Sequence, residues 1–119
     1  MSNPFAFVIE DDAEIARFIA LVLHEVDFVT EIIQNGRKAL ERLAEVAPDV
    51  VVLDLNIPSV SGVEVLRQIR ANPSLAKTKV IVVSANPHMM DYAYEMADLV
   101  LQKPISFDQL RDLVRRLLE

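Results

Sequence analysis

The chain has no cysteine in 119 residues, which excludes disulfides and thiolate metal sites and fits a reducing compartment, the cytoplasm. It lacks an excess of basic charge: 12 Lys and Arg stand against 18 Asp and Glu, for a net charge of −6. A surface of that sign repels phosphate backbones, so direct nucleic-acid binding by this domain is not expected. No segment approaches the roughly 18 consecutive apolar residues of a membrane span. The most apolar helical stretch, "IARFIALVL", contains Arg17. The opening "MSNPFAFVIEDD" has no basic region and soon turns acidic, so no signal peptide is expected there. Repeats, low-complexity tracts and linkers are also lacking. What remains is 52% hydrophobic and 25% charged, a globular composition. A chain of this length buries about two thirds of its unfolded surface in one core, so residues 1–119 are read as a single domain.

Short β-branched runs recur at 5–9, 28–33, 50–53, 79–83 and 99–102. Most do not alternate, as strands covered on both faces should not. "FVTEII" is the most mixed, which suits an edge strand. Between the runs lie helical stripes. Ile15, Phe18, Ile19, Val22 and Val26 mark a helix over 12–25; Ala39, Leu40, Leu43 and Ala47 a second; Val63, Leu66 and Ile69 a third; Phe107, Leu110, Val114 and Leu117 the last. Ser61 with Glu64 and Ser106 with Gln109 have the spacing of capping boxes, and Val60–Val65 and Ile105–Leu110 that of hydrophobic staples. Asn86–Pro87 reads as an N-cap and first helical residue, but few residues separate it from the last strand. The pattern is α/β: a doubly wound, five-stranded parallel sheet flanked by five helices, the fourth short or irregular.

Such sheets place their sites at the carboxyl ends of strands, beside a topological switch point. Those ends carry Glu10, Asp11 and Asp12 after the first strand, Asp54 after the third, Ser84 after the fourth and Lys103–Pro104 after the fifth. With strand order 2-1-3-4-5, Glu10, Asp11 and Asp54 converge. Crowded carboxylates repel, and an all-oxygen set suits a hard divalent cation, Mg²⁺ foremost. An ammonium from Lys103 and a hydroxyl from Ser84 complete the parts that hold a phosphoryl group, with Asp54 as nucleophile. Asp12 reads as a helix cap.

These stretches, "FVIEDD", "VVLDLNIPSVSG", "IVVSAN" and "LQKPIS", resemble the receiver domain of two-component response regulators along essentially the whole chain. The resemblance implies that Asp54 is the phosphoacceptor, that Glu10 and Asp11 bind Mg²⁺, and that Asn56 adds its backbone carbonyl. It makes Ser84 the switch hydroxyl, Lys103 the phosphate-contacting lysine and Pro104 its cis-prone neighbour. Ala85, the small residue beside the hydroxyl, governs access to Asp54, and Asn86 next to it bears on turnover. The implied donor is a histidine kinase or histidine phosphotransfer protein, and the implied product an acyl phosphate that hydrolyses slowly. Self-catalysed transfer and autodephosphorylation are then the only chemistry, so a turnover enzyme is not expected. A downstream protein would read the state.

The sequence departs from the family pattern in places. Val100 stands where an aromatic switch residue is usual, and Met96 where a glycine is. Ser61–Gly62 replaces the commoner Asp–Gly. Ser84 and Lys103 lie 19 apart, closer than usual by nearly a helical turn. Two further readings compete with the switch. One is an interaction module working without phosphorylation, suggested by Val100 and the short fourth helix. The other, a haloacid-type phosphohydrolase, needs a second Asp where Asn56 stands and is rejected. His24, near a helix end, reads as a dipole partner, and His88 as exposed. "HMMDYAYEM" is apolar enough to suggest a docking surface as well as core packing, self-association as a homodimer being its simplest use.

Overall fold

A computed structural model describes residues 3–118. Five parallel strands alternate with helices: β1 (Phe5–Ile9), α1 (Ala13–Glu25), β2 (Val29–Ile33), α2 (Gly36–Glu45), β3 (Val50–Asp54), α3 (Gly62–Ala71), β4 (Lys79–Ser84), α4 (Pro87–Asp91), β5 (Leu99–Gln102) and α5 (Phe107–Leu117), with a 3₁₀ turn at Pro73–Leu75. The strand order is β2-β1-β3-β4-β5, the doubly wound arrangement anticipated. The register sets Ile9 beside Leu53 and Asp54 beside Val83, so the ends of β1, β3 and β4 line up.

Alternate strand residues feed two cores, because successive side chains leave opposite faces of the sheet. Phe7, Ile9, Val51, Leu53, Val80 and Val82 pack under α2, α3 and the α4 region. Ala6, Val8, Val50, Val52, Ile81 and Val83 pack under α1 and α5. Central strand β3 is buried at every position, which explains its unbroken aliphatic run. β2 is an edge strand and begins at Val29, one residue later than its sequence pattern suggests. Its odd member Glu31 reaches Arg42 of α2 through two 2.8 Å hydrogen bonds. That pairing holds the Glu31 carboxyl below its ordinary range.

Each helix begins on a side-chain cap: Asp12, Asn35, Ser61, Asn86 and Ser106 accept from backbone N–H groups of the first turn. The capping boxes form by half. Ser61 accepts from the Glu64 N–H at 3.2 Å, but the Glu64 carboxylate turns to Arg67 and Gln68 instead of back to the cap.

The fourth helix is five residues long, and a series of tight turns replaces its remainder. Met90 and Ala93 are buried and fasten the short helix to the core, while Met89 and Met96 pack against the same cluster. Of the large apolar side chains in this stretch, only those of Tyr92 and Tyr94 are strongly exposed. The methionines that suggested a surface are therefore core residues, and the surface reduces to two tyrosines. Arg70, on the last turn of α3, fastens the segment from below. Its guanidinium donates to the carbonyl oxygens of Met96 and Thr78 and to Asp98.

Candidate functional site

The site grows from three strand ends. Beyond β1, the Glu10 N–H donates to the Ile33 carbonyl at 2.9 Å, so the chain stays in the sheet for one more residue. This holds Glu10 inside, 1% exposed. Asp11, the next residue, is exposed, and Asp12 caps α1. β3 runs through Asp54 itself, which is 4% exposed. Asp54, the last residue of this central strand, pairs with Val83 of β4, while β1 pairs only as far as Leu53. After β5, the Lys103 N–H donates to the Ser84 carbonyl at 2.9 Å, and the Lys103–Pro104 peptide is cis.

Lys103 Nζ lies 2.7 Å from Glu10 Oε1 and 3.2 Å from Asp54 Oδ2. The other Asp54 oxygen, Oδ1, accepts the Asn56 N–H at 3.0 Å. One oxygen from each of Glu10, Asp11 and Asp54 lies within 4.8 Å of the others. Burial pushes the Glu10 carboxyl up to about 7; Lys103 pulls it back and Asp54 adds to the rise. Burial works against the Lys103 ammonium, yet Glu10 and Asp54 together hold it above its ordinary value. Three carboxylates facing one ammonium leave residual negative charge. The donors are all oxygen, hard and clustered, so the residues present fit Mg²⁺.

The remaining expected positions fall around this cluster. Ser84 is buried, and its hydroxyl belongs to its own loop: it accepts the Asn86 N–H at 3.0 Å and donates to the Asn86 carbonyl at 3.3 Å. Ala85 is exposed. Asn86 caps α4, its side chain accepting the His88 N–H at 2.9 Å. Asn56 is exposed at the start of the loop after β3. Val100 packs, partly buried, against the α2–α3 core, so the position of the missing aromatic is filled by a small aliphatic side chain. An apolar groove lined by Ile15, Phe18, Ala85, Pro104 and Ile105, with Glu14, opens at Lys103. The helical stripe of α1 contained its Ile15 and Phe18, but periodicity alone assigned them to the core. Arg70 was missed outright, because its partners are mostly backbone carbonyls with no sequence signature.

Fold and site together define a doubly wound α/β domain with an acidic, lysine-closed pocket at its switch point. The chain belongs to the response regulator receiver domain family, whose model matches residues 6–115. The response regulator ArlR of Staphylococcus saprophyticus is 31% identical over 114 residues, covering 93% of this chain and 50% of ArlR. Across such matches the chain spans about half the length of the curated relatives. A CheY-like receiver domain from Methylobacillus flagellatus superposes with a TM-score of 0.87 at 28% identity, over 98% of this chain and 99% of that one. The response regulator TrrA of Thermotoga maritima, solved in complex with Mg²⁺ and BeF, does so at 0.85 and 28% identity, over 96% and 98%.

Proposed function

We propose that this domain is a phosphoacceptor switch in which Asp54 takes a phosphoryl group from a phosphohistidine. The observation that carries the reading is the setting of Asp54. It ends a central strand, is held between the Asn56 N–H and the Lys103 ammonium, and stands beside Glu10 and Asp11. An Asp54 oxygen attacks phosphorus, the P–N bond breaks, and the imidazole nitrogen keeps the electron pair and takes up a proton. Lys103 is placed to offset charge gathering on the transferred group. Glu10, Asp11, Asp54 and the Asn56 carbonyl would hold Mg²⁺, which when bound neutralises phosphoryl charge.

The new dianion draws the Ser84 hydroxyl toward it. That hydroxyl is bonded to both backbone groups of Asn86, the cap of α4, so its departure loosens the start of α4. A local charge event thereby reaches a surface element. The chemistry is self-catalysed transfer and autodephosphorylation, with no turnover of a separate substrate. The donor is a histidine kinase or phosphotransfer protein in the cytoplasm, docking on the apolar groove beside Lys103. A downstream protein, or a second copy of the chain, reads the result at the α4–β5 segment.

The test is incubation with Mg²⁺ and a small-molecule phosphodonor, followed by mass spectrometry. A hydroxylamine-labile phosphoryl adduct is expected on the native chain and absent from Asp54→Asn. No adduct, together with no thermal stabilisation by Mg²⁺ and beryllium fluoride, would leave a phosphorylation-independent module as the better account.

A further inference from the structure

The chain has two glycines, and both press against the loop that follows Asp54. A Cβ on Gly62 would collide with the Asp54 carbonyl and the Leu55 backbone, and the Gly62 N–H donates to the Leu55 carbonyl at 3.1 Å. This closes the base of the loop. Gly36 is the first residue of α2, on a different element. A Cβ there would fall on the Val60 carbonyl. The Gly36 N–H donates to the Pro58 carbonyl at 3.1 Å, and the next N–H, from Arg37, donates to the Ser59 hydroxyl at 3.1 Å. Ser59 meets this contact with a φ of 66°, a left-handed conformation costly for a non-glycine residue. The far end of the loop is thus seated against backbone that has no side chain to hold it off.

We infer that Gly36 and Ser59 are positioning residues for the acceptor loop, fixing from α2 where Asn56 presents its carbonyl to a divalent cation. This rests on the metal-dependent reading above and assigns it a support that none of the candidate ligands reveals. A Cβ at position 36 cannot be absorbed by a side-chain rotation, because its obstacle is main chain; either the start of α2 or the 58–60 segment must shift. The closed base, Asn56's bond to Asp54 and the core-packed side chains of Leu55, Ile57 and Val60 resist that shift, but none of them replaces the main-chain seat at Gly36. Groups that orient metal ligands without touching the metal commonly govern affinity by about 10- to 100-fold.

The experiment is titration of the full chain with Mg²⁺ alone by calorimetry, well below the melting temperature. Gly36→Ala is expected to weaken Mg²⁺ binding about 10-fold or more, and Ser59→Ala by a few-fold. Leu43→Ala, a core truncation in the same helix, should lower the melting temperature while leaving the Mg²⁺ affinity unchanged. At saturating Mg²⁺ the Gly36→Ala chain should accept phosphoryl at close to the native rate, so the loss appears in the Mg²⁺ requirement. An unchanged affinity in Gly36→Ala, or an equal loss in Leu43→Ala, overturns the inference. If Gly36→Ala does not fold, Ser59→Ala decides, and its unchanged affinity is equally fatal. Failure of the native chain to bind Mg²⁺ removes the underlying switch reading before any variant is made.

Discussion

The pocket at the ends of β1 and β3 and the segment between β4 and β5 are built on opposite plans. In the pocket, every charged group except Asp11 is buried or nearly so and has a hydrogen-bonded partner, and the main chain stays in the sheet up to the functional side chains. In the β4–β5 segment the helix is cut to five residues, β5 is only partly buried, and the fastening comes from a few core side chains, Met90 and Ala93 among them, and from Arg70 of α3. Buried electrostatics punish a lost partner heavily. Short turns over a core tolerate change, provided backbone groups are satisfied. A pocket whose buried acids and lysine are locked in pairs thus stands beside a segment reduced to a five-residue helix.

The sharpest way to break the contrast is Lys103→Ala. At pH 8 it should cost about 3 kcal/mol, by leaving Glu10 and Asp54 facing each other without their cation. At pH 5, where Glu10 is already protonated, the cost should fall to about 1 kcal/mol. Chemical denaturation at both pH values measures the difference, and equal losses would contradict the coupling. The native, metal-free chain gives the second test. The folded Glu10 carboxyl titrates at about 7, above its ordinary value, so the folded state retains a proton that the unfolded chain releases. Its contribution is complete below about pH 4.5 and is lost as pH rises through 7, on the order of 3 kcal/mol. Mg²⁺ competes with that proton, so the rise in melting temperature on adding Mg²⁺ should grow across the same window. A metal-free melting temperature that climbs between pH 5 and 7 would sink this.

On the other side of the comparison, Arg70→Ala should cost about 1–2 kcal/mol. It should speed amide exchange across 92–98 without reducing phosphoryl uptake at Asp54. Reduced uptake would show the two regions to be coupled. Smallest of all, replacing Tyr92 and Tyr94 together with Ser should change stability by less than about 0.5 kcal/mol. Sedimentation with and without beryllium fluoride asks whether those rings mediate self-association; a monomer in both states, for both chains, discards that use.

Much of the pocket was legible because its chemistry coincides with punctuation. Asp54 interrupts an aliphatic run, Glu10 and Asp11 end another, and Lys103 precedes a proline, so topology alone brings them together. The short α4 was legible from chain length. Less visible were features whose partners are main chain. Arg70 finds carbonyl oxygens, Gly36 lies on one, and the Ser84 hydroxyl turns to its own loop; none of these leaves a periodic or compositional trace. The tyrosines and methionines between β4 and β5 separate into surface and core only once Ala93 is known to be buried.

The Lys103–Glu10 contact joins residues 93 positions apart. During synthesis, chain growth from the amino end delivers Glu10, Asp11 and Asp54 long before their ammonium. In a nascent chain halted after β4, only a proton or a divalent cation is at hand to offset the crowding of these acids. Such a contact closes late, in step with its large sequence separation. Magnesium in the medium should therefore hasten refolding of the finished chain, quite apart from any signal it helps to carry.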